Sequence, residues 1–187
     1  SGIKDSVITV TGGTGSFGRV MTNHLLIKGA AEVRILSRDE SKQDEMRNEL
    51  SNKRLEFYIG DIREKGTLDV CFTDADFVFH AAASTSNAVD TVVDPLAHVT
   101  PNVAMNNFLI DAAWRNNVQH YIFISSNTVY PPKGDEPVVE SDFLFDEPYP
   151  VYFPVGWMKR YAEVQCELYG KYLPRKMKST VIRPANL

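Results

Sequence analysis

The segment TGGTGSFG, residues 11–18, places four glycines in eight positions directly after an apolar run. Two overlapping patterns are satisfied, G-x-G-x-x-G through Gly13, Gly15 and Gly18, and G-x-x-G-x-x-G through Gly12, Gly15 and Gly18. Between a strand and a helix, such glycines allow a tight turn and a close approach of backbone N–H groups to a pyrophosphate. The alternative is a purely structural turn. We favour a nucleotide site formed by Gly12, Gly15, Ser16, Phe17 and Gly18.

The second candidate group lies in the segment ILSRDESK, residues 35–42. A dinucleotide site for NAD usually has an acidic residue at the end of the second strand, whereas NADP needs a cation for its 2′-phosphate. Here Ser37 and Arg38 occupy that position and Lys42 follows one turn later. A guanidinium binds phosphate bidentately. The pattern favours NADP, although Asp39 leaves NAD open and both cations could be ordinary solvated charges.

An alternation of strands and helices must position these residues. Amphipathic spacing at i, i+3, i+4 and i+7 begins at Phe17 and recurs from Met105 to Ala112, which indicates helices. Strands separated by helices predict an α/β fold of the Rossmann type, a doubly wound parallel sheet of six or seven strands in the order 3-2-1-4-5-6. The predicted strands are Val7–Thr11, Val33–Leu36, Leu55–Ile59, Phe77–His80, His120–Ser125 and Thr180–Arg183.

Composition narrows the function. The 187 residues, 43% hydrophobic, are enough for one globular domain, which we place at 1–187. Six prolines between Tyr130 and Pro154 exclude regular structure throughout, so 130–154 is predicted to be an active-site loop. A net charge of -4 argues against nucleic-acid binding. No apolar run approaches the roughly 18 residues needed to span a bilayer. The two cysteines and the lack of a leader suggest a cytoplasmic protein, and the four histidines show no metal-ligand spacing.

Five motifs together resemble one family. TGGTGSFG, Gly60-Asp61, HAAA at 80–83, SSNTVY at 125–130 and RPAN at 183–186 occur in the order and spacing of extended short-chain dehydrogenase/reductases. Within that group the chain is similar to the nucleotide-sugar epimerases and dehydratases. The segment SRDESKQDEM resembles the 4,6-dehydratase branch, which is associated with NADP, and the part from VFHAAA onwards resembles the epimerase branch.

The resemblance implies a role for each matching residue. Asp61 would meet the adenine, with Ile62 beside it, and Ala81, Ala82 and Ala83 would pack along the cofactor. Asn102 would help to position the active site. Ser126 would bind the sugar hydroxyl that is oxidised, and Lys159 would hold the nicotinamide ribose. Two structural alternatives stay open, because Asp61 could cap the following helix and Ser126 could simply end a strand.

The main departure from the family concerns its catalytic tyrosine. The family motif Tyr-x-x-x-Lys sets a phenol one helical turn before the lysine, so that the cation stabilises a phenolate. Val155 stands at that position here, and valine cannot transfer a proton. Tyr152 lies seven residues before Lys159, but Pro154 suits the first turn of the helix and would leave Tyr152 in the loop. Either Tyr152 supplies the base or the site lacks one; Tyr149 and Tyr130 are weaker substitutes.

Two further departures concern the reaction. After Ser126 the chain has Asn127 and Thr128, where the 4,6-dehydratases have an acid and then Glu or Lys. The family also continues into a C-terminal region that closes over the substrate, and we expect that region to be largely missing here. The resemblance therefore favours a nucleotide-sugar epimerase that transiently oxidises a sugar hydroxyl. A 4,6-dehydratase and a catalytically silent dinucleotide-binding module remain alternatives.

The resemblance also implies a homodimer, in which helices near 101–116 and 155–171 pair with their symmetry mates. An apolar stripe at i, i+4, i+7 and i+11 fits this arrangement, formed by Trp157, Tyr161, Val164 and Leu168. The alternative is that this stripe covers the sheet.

Overall fold

The structure is a computed structural model that describes residues 2–84 and 93–185, so Asn186 of the RPAN motif lies outside the described residues. In these ranges six parallel strands form one sheet in the order β3-β2-β1-β4-β5-β6, which confirms the predicted fold. The strands are β1 Val7–Thr11, β2 Glu32–Ser37, β3 Leu55–Ile59, β4 Phe77–His80, β5 His120–Ile124 and β6 Lys178–Ile182.

Five α-helices of the described residues cover the two faces of the sheet. They are α1 Ser16–Ile27, α2 Glu40–Leu50, α3 Lys65–Phe72, α4 Pro95–Arg115 and α5 Phe153–Glu167, the last followed by a π-helical turn at Leu168–Tyr172. The helix predicted at 101–116 therefore begins earlier, where the Asp94 carboxylate accepts a hydrogen bond from the Ala97 N–H at 3.2 Å. The segment 130–154 contains two short 3-10 helices, Glu140–Leu144 and Pro150–Tyr152, before α5 begins.

Successive side chains of β1 point to opposite faces of the sheet and so enter the two halves of the core. Ile8 and Val10 are fully buried in one cluster with Leu25 of α1 and Met46 of α2. On the other face, the Thr9 hydroxyl donates to the Cys71 carbonyl of α3 at 2.9 Å. Because every strand runs parallel, the carboxyl ends of β1, β2 and β4 meet at one edge of the sheet, where ligands bind in such folds.

Candidate functional site

The glycine turn between β1 and α1 forms the floor of a cleft at that edge. Gly12 has φ +70°, and a Cβ there would lie 2.7 Å from the Ala82 Cα. A Cβ on Gly18 would overlap the Gly12 carbonyl oxygen and lie 2.7 Å from the Gly13 carbonyl carbon. At Gly15 the nearest heavy atom would be 3.4 Å away, so the chain itself leaves room there. Two glycines thus serve the close packing of the turn, and the third leaves space for a ligand.

The structure also separates the two overlapping glycine patterns. Gly13 faces inward, where a Cβ would lie 2.7 Å from the Ile35 Cδ1 atom, and it does not line the cleft. Gly12, Gly15 and Gly18 do line it. The spacing G-x-x-G-x-x-G therefore describes the turn. Helix α1 starts directly after Gly15, and its first residues, Ser16 and Phe17, line the cleft.

The cleft has a volume of about 1050 Å³. Every residue predicted as a cofactor contact lines it, from Gly12 to Ala83, except Lys159. The sequence prediction missed other lining residues, chiefly Thr14, Arg63 and Met105. The only sequence signal for Met105 was its place in a helical periodicity. Arg63 had no signal for a cofactor contact beyond its position two residues after Asp61. The size of the cleft, the space left at Gly15 and the helix N-terminus fit an extended dinucleotide.

Acidic and basic side chains alternate at the β2 end of the cleft. Asp39 is the N-cap of α2, where its carboxylate accepts from the Lys42 N–H at 3.0 Å and lies 3.2 Å from the Lys42 ammonium. The backbone hydrogen bond from Lys42 is the main cause that lowers the pKa of Asp39. Arg38 is freer, since its side chain is 72% exposed and its Nη1 lies 4.0 Å from the Asp61 Oδ2 atom. Asp39 is thus committed to capping a helix, whereas Arg38 faces solvent and the cleft.

Asp61 is held by Arg63 rather than by a helix. The Arg63 Nε donates to Asp61 Oδ1 at 2.9 Å, its Nη2 donates to Oδ2, and its backbone N–H donates to Oδ1 at 2.9 Å. The side-chain hydrogen bonds from Arg63 hold the pKa of Asp61 at about 2. The N-cap of α3 is Glu64. The alternative that Asp61 caps the following helix is therefore wrong.

A buried polar chain joins the cleft to α4. His80 contacts the Thr11 hydroxyl at 2.9 Å through Nδ1 and the Asn106 Oδ1 at 2.7 Å through Nε2. Burial lowers the pKa of His80 to about 3, so the imidazole is neutral. One turn earlier, the Asn102 amide donates to the Ser84 carbonyl at 2.8 Å and accepts from the Ser84 N–H at 2.9 Å. Asn102 thereby fixes the backbone after β4, which lines the cleft.

Lys159 lies where β5 ends. Its ammonium donates to the Ile124 carbonyl at 3.0 Å and lies 4.8 Å from the centre of the Phe123 ring. Burial lowers its pKa to about 8. His98, which the sequence prediction missed, is close enough that the Lys159 charge, after burial, contributes to lowering the imidazole pKa. Lys159 is therefore a partly desolvated ammonium that is held at the end of β5 by the Ile124 carbonyl and lies outside the lining of the cleft.

Ser126 follows β5 by two residues and does not end the strand, which stops at Ile124. Its hydroxyl accepts from the Thr128 N–H at 3.2 Å and caps the short helix Asn127–Val129. A structural task for this serine is therefore visible, and its contact with a sugar stays a prediction.

The start of α5 determines the position of the tyrosine candidates. Pro154 lies in the first turn of α5 and Tyr152 is its N-cap, so Tyr152 precedes the helix as predicted. Its ring lies 6.4 Å from the Tyr149 ring. In the described part of the chain no hydrogen bond joins the Tyr152 hydroxyl to Lys159. Val155 is half-buried in the first turn, so the position facing Lys159 carries no proton donor.

A second buried network anchors the segment 130–154. Arg183 donates to both oxygens of the buried Glu163, at 3.0 Å and 2.6 Å, and the Ser125 hydroxyl donates to the same carboxylate at 2.5 Å. The remaining Nη1 group of Arg183 donates to the Tyr130 hydroxyl at 3.1 Å and to the Glu140 carbonyl at 2.8 Å. Tyr130 is thus engaged in holding the segment, which weakens it as a substitute base.

Comparison with known proteins decides the family. The sequence model of the NAD dependent epimerase/dehydratase family matches residues 8–187 of this chain. The chain belongs to that family. None of the helices described in this family member is both long and apolar enough to cross a bilayer.

Several relatives share its sequence or its fold. UDP-glucose 4-epimerase of Rickettsia bellii (strain OSU 85-389) is 39% identical over 132 residues, which are 68% of this chain and 38% of the relative. UDP-N-acetylglucosamine 4-epimerase from Methanobrevibacter ruminantium M1, solved with UDP-N-acetylmuramic acid, is 26% identical with a TM-score of 0.79 and covers 96% of this chain and 55% of its own. UDP-glucose 4-epimerase of Thermotoga maritima, solved with UDP-glucose, shares the fold at 24% identity, a TM-score of 0.77 and coverage of 95% and 54%. The chain spans about half the length of these solved relatives.

Proposed function

We propose that this chain is the cofactor-binding part of an NADP-preferring nucleotide-sugar epimerase. The observation that carries the proposal is the cleft built on Gly12, Gly15 and Gly18, with Arg38 and Lys42 in its lining. The relatives named as UDP-sugar 4-epimerases support the substrate class. The bound dinucleotide would supply a hydride acceptor and donor for transient oxidation of a sugar hydroxyl.

The residues of the chain itself would divide the remaining tasks. Ser126 would orient the hydroxyl that is oxidised, and Lys159, which is partly desolvated, would hold the nicotinamide ribose. Asn102 would act indirectly, because it fixes the backbone of Ser84 at the cleft. Tyr152 would take the hydroxyl proton, provided that the turn before α5 brings its phenol to the substrate.

Calorimetric titration tests the cofactor assignment. The unmodified chain should bind NADP more tightly than NAD, because Arg38 is available for the 2′-phosphate while Asp39 is committed to its cap. Arg38→Ala should abolish that preference and leave NAD affinity nearly unchanged. Tighter binding of NAD by the unmodified chain would refute the assignment to NADP.

The proton transfer is tested by the rate of epimerisation. Loss of a general base typically lowers the rate by about 10² to 10⁴, so with Val155 in place of the tyrosine an epimerase that uses Tyr152 should show slow but measurable epimerisation. NMR of nucleotide sugars, followed for exchange at the sugar carbons, measures what remains. Tyr152→Phe should abolish residual turnover without changing cofactor affinity. Robust turnover that survives Tyr152→Phe would show that Tyr152 is not the base.

A catalytically silent dinucleotide-binding module is the second candidate. The half-buried Val155, one turn before Lys159, is the observation that favours it. Complete absence of sugar exchange, together with tight NADP binding, would support this candidate over the epimerase. Dehydration is a weaker alternative still, because the Asn127 amide is no acid.

We also propose a homodimer built on α5. The four residues of the stripe are 43–56% exposed, which supports an interface over the alternative that the stripe covers the sheet. Phe108 of α4 is likewise 48% exposed. An apolar face of this kind on adjacent helices fits an interface between two copies.

A further inference from the structure

Arg63 stands on the same wall of the cleft as Arg38, and two guanidinium groups therefore approach one carboxylate. The Arg63 side chain donates hydrogen bonds to both carboxylate oxygens of Asp61, and its backbone N–H donates a further one to Oδ1. Arg38 makes a long ion pair with Asp61, at 4.0 Å from Oδ2, which is beyond hydrogen-bond distance. Within the ranges that the structure describes, the Arg38 guanidinium donates no hydrogen bond.

The charges of this wall balance only when Arg63 is counted. The ionisable residues that line this end are three cations, Arg38, Lys42 and Arg63, and three carboxylates, Asp39, Glu40 and Asp61. Lys42 is paired with Asp39 at 3.2 Å. Without Arg63 the wall would carry one excess negative charge, and the released Asp61 oxygens would attract Arg38.

We propose that Arg63 determines cofactor selection by neutralising Asp61, which leaves Arg38 available for a 2′-phosphate. This inference rests on the proposed function, because it assumes an adenine dinucleotide in the cleft. Arg63 acts here through Asp61 and Arg38. It is a specificity-determining residue that does not itself touch the phosphate.

With and without Arg63, the β2 end of the cleft should differ in its affinity for a 2′-phosphate. A 2′-phosphate is an anion, and an uncompensated carboxylate beside it repels it. The same carboxylate also competes with the phosphate for the Arg38 fork, which matches either anion bidentately. NAD carries a neutral hydroxyl at this position, so neither effect applies to it. Loss of Arg63 should therefore weaken NADP selectively.

The test is the ratio of NADP affinity to NAD affinity, measured by calorimetry in Arg63→Ala. We expect the ratio to fall about tenfold, which equals about 1.4 kcal/mol, with NAD affinity changing less than about twofold. Arg63 lies in a turn with a side chain 51% exposed, so the variant should fold, and circular dichroism checks this. Lys171→Ala is the matched control, since it removes one exposed cation and one ion pair outside the cleft.

A double variant separates the indirect role from a direct one. Arg63→Ala combined with Asp61→Asn removes the competing carboxylate and should return the ratio to within about threefold of the unmodified value, in the sense of a double-mutant cycle. A ratio unchanged by Arg63→Ala would overturn the inference. A ratio that stays low in the double variant would also overturn it, because Arg63 would then contact the phosphate itself.

Two different measurements test the role of Arg63 and the preference for NADP. The absolute ratio in the unmodified chain tests whether NADP is preferred. The change of that ratio on removing Arg63 tests the inference, whatever the starting value.

Discussion

Replacing Val155 with tyrosine supplies the phenol that the family resemblance implies four residues before Lys159. Val155 lies in the first turn of α5, four residues before Lys159, and is half-buried. Side chains four residues apart on a helix are neighbours on one face. Val155→Tyr should therefore place a phenol next to a partly buried ammonium whose pKa is already about 8.

The expected effect is a lowered phenol pKa. Two unit charges about 6 Å apart interact by about 3 kcal/mol at an effective dielectric constant of about 20. This energy would bring the phenol pKa from about 10 to about 8. Partial burial of the phenol opposes the shift, so we expect a value between about 8 and 9. The pKa of Lys159 should rise in return, since the two groups titrate as a coupled pair.

Phenolate absorbance in the ultraviolet measures this directly. The titration of the unmodified chain is subtracted, which leaves the introduced phenol. Val20→Tyr is the control, because Val20 is 72% exposed on α1 and should give a phenol that titrates near 10. If the phenol introduced at Val155 had the same pKa as the phenol of Val20→Tyr, Lys159 would not activate a base at position 155. The idea that Val155 replaces an activated base would then be wrong.

Three further outcomes are expected. Between about pH 8 and pH 10.5 the unfolded chain keeps the Lys159 proton that the folded chain has lost. The free energy of unfolding should therefore rise with pH in that window. Lys159→Met should remove this rise and stabilise the fold at pH 7 by at most about 3 kcal/mol, as measured by urea denaturation. Gly18→Ala should weaken NADP binding by more than about tenfold in calorimetry, because a Cβ would overlap the Gly12 carbonyl; Gly66→Ala, with no atom within 4 Å of the added Cβ, should bind normally. Val164→Lys should shift a dimer to monomers in sedimentation, because Val164 is 56% exposed at the centre of the α5 stripe; an unmodified chain that is already monomeric at high micromolar concentration would contradict the dimer.

The fold was accessible from the sequence because its strands carry a local signal. β1 has the predicted bounds, since a short apolar run ends at the glycine turn. β6 begins at Lys178 rather than Thr180, because its start depends on pairing with His120 of β5 and not on hydrophobic residues of its own. The beginning of α4 was harder to predict, because a proline favours a first turn but Pro101 here lies inside the helix.

The candidate site was accessible only where it is built from consecutive residues. The glycine turn and the cations after β2 are of this kind, and both line the cleft. The hydrogen bonds from Arg63 to Asp61 depend on the directions of two side chains in a turn. The position of His98 near Lys159 depends on the packing of two different helices. No periodicity or spacing predicts them, because they arise from tertiary packing.

A crystal structure of the unmodified chain with NADP would show directly whether Arg38 binds the 2′-phosphate. We expect the pyrophosphate on the backbone N–H groups after Gly12, the 2′-phosphate within hydrogen-bond distance of Arg38, and the nicotinamide ribose at Lys159. A dinucleotide that lies in the opposite direction, or whose 2′-phosphate does not contact Arg38, would contradict this expectation.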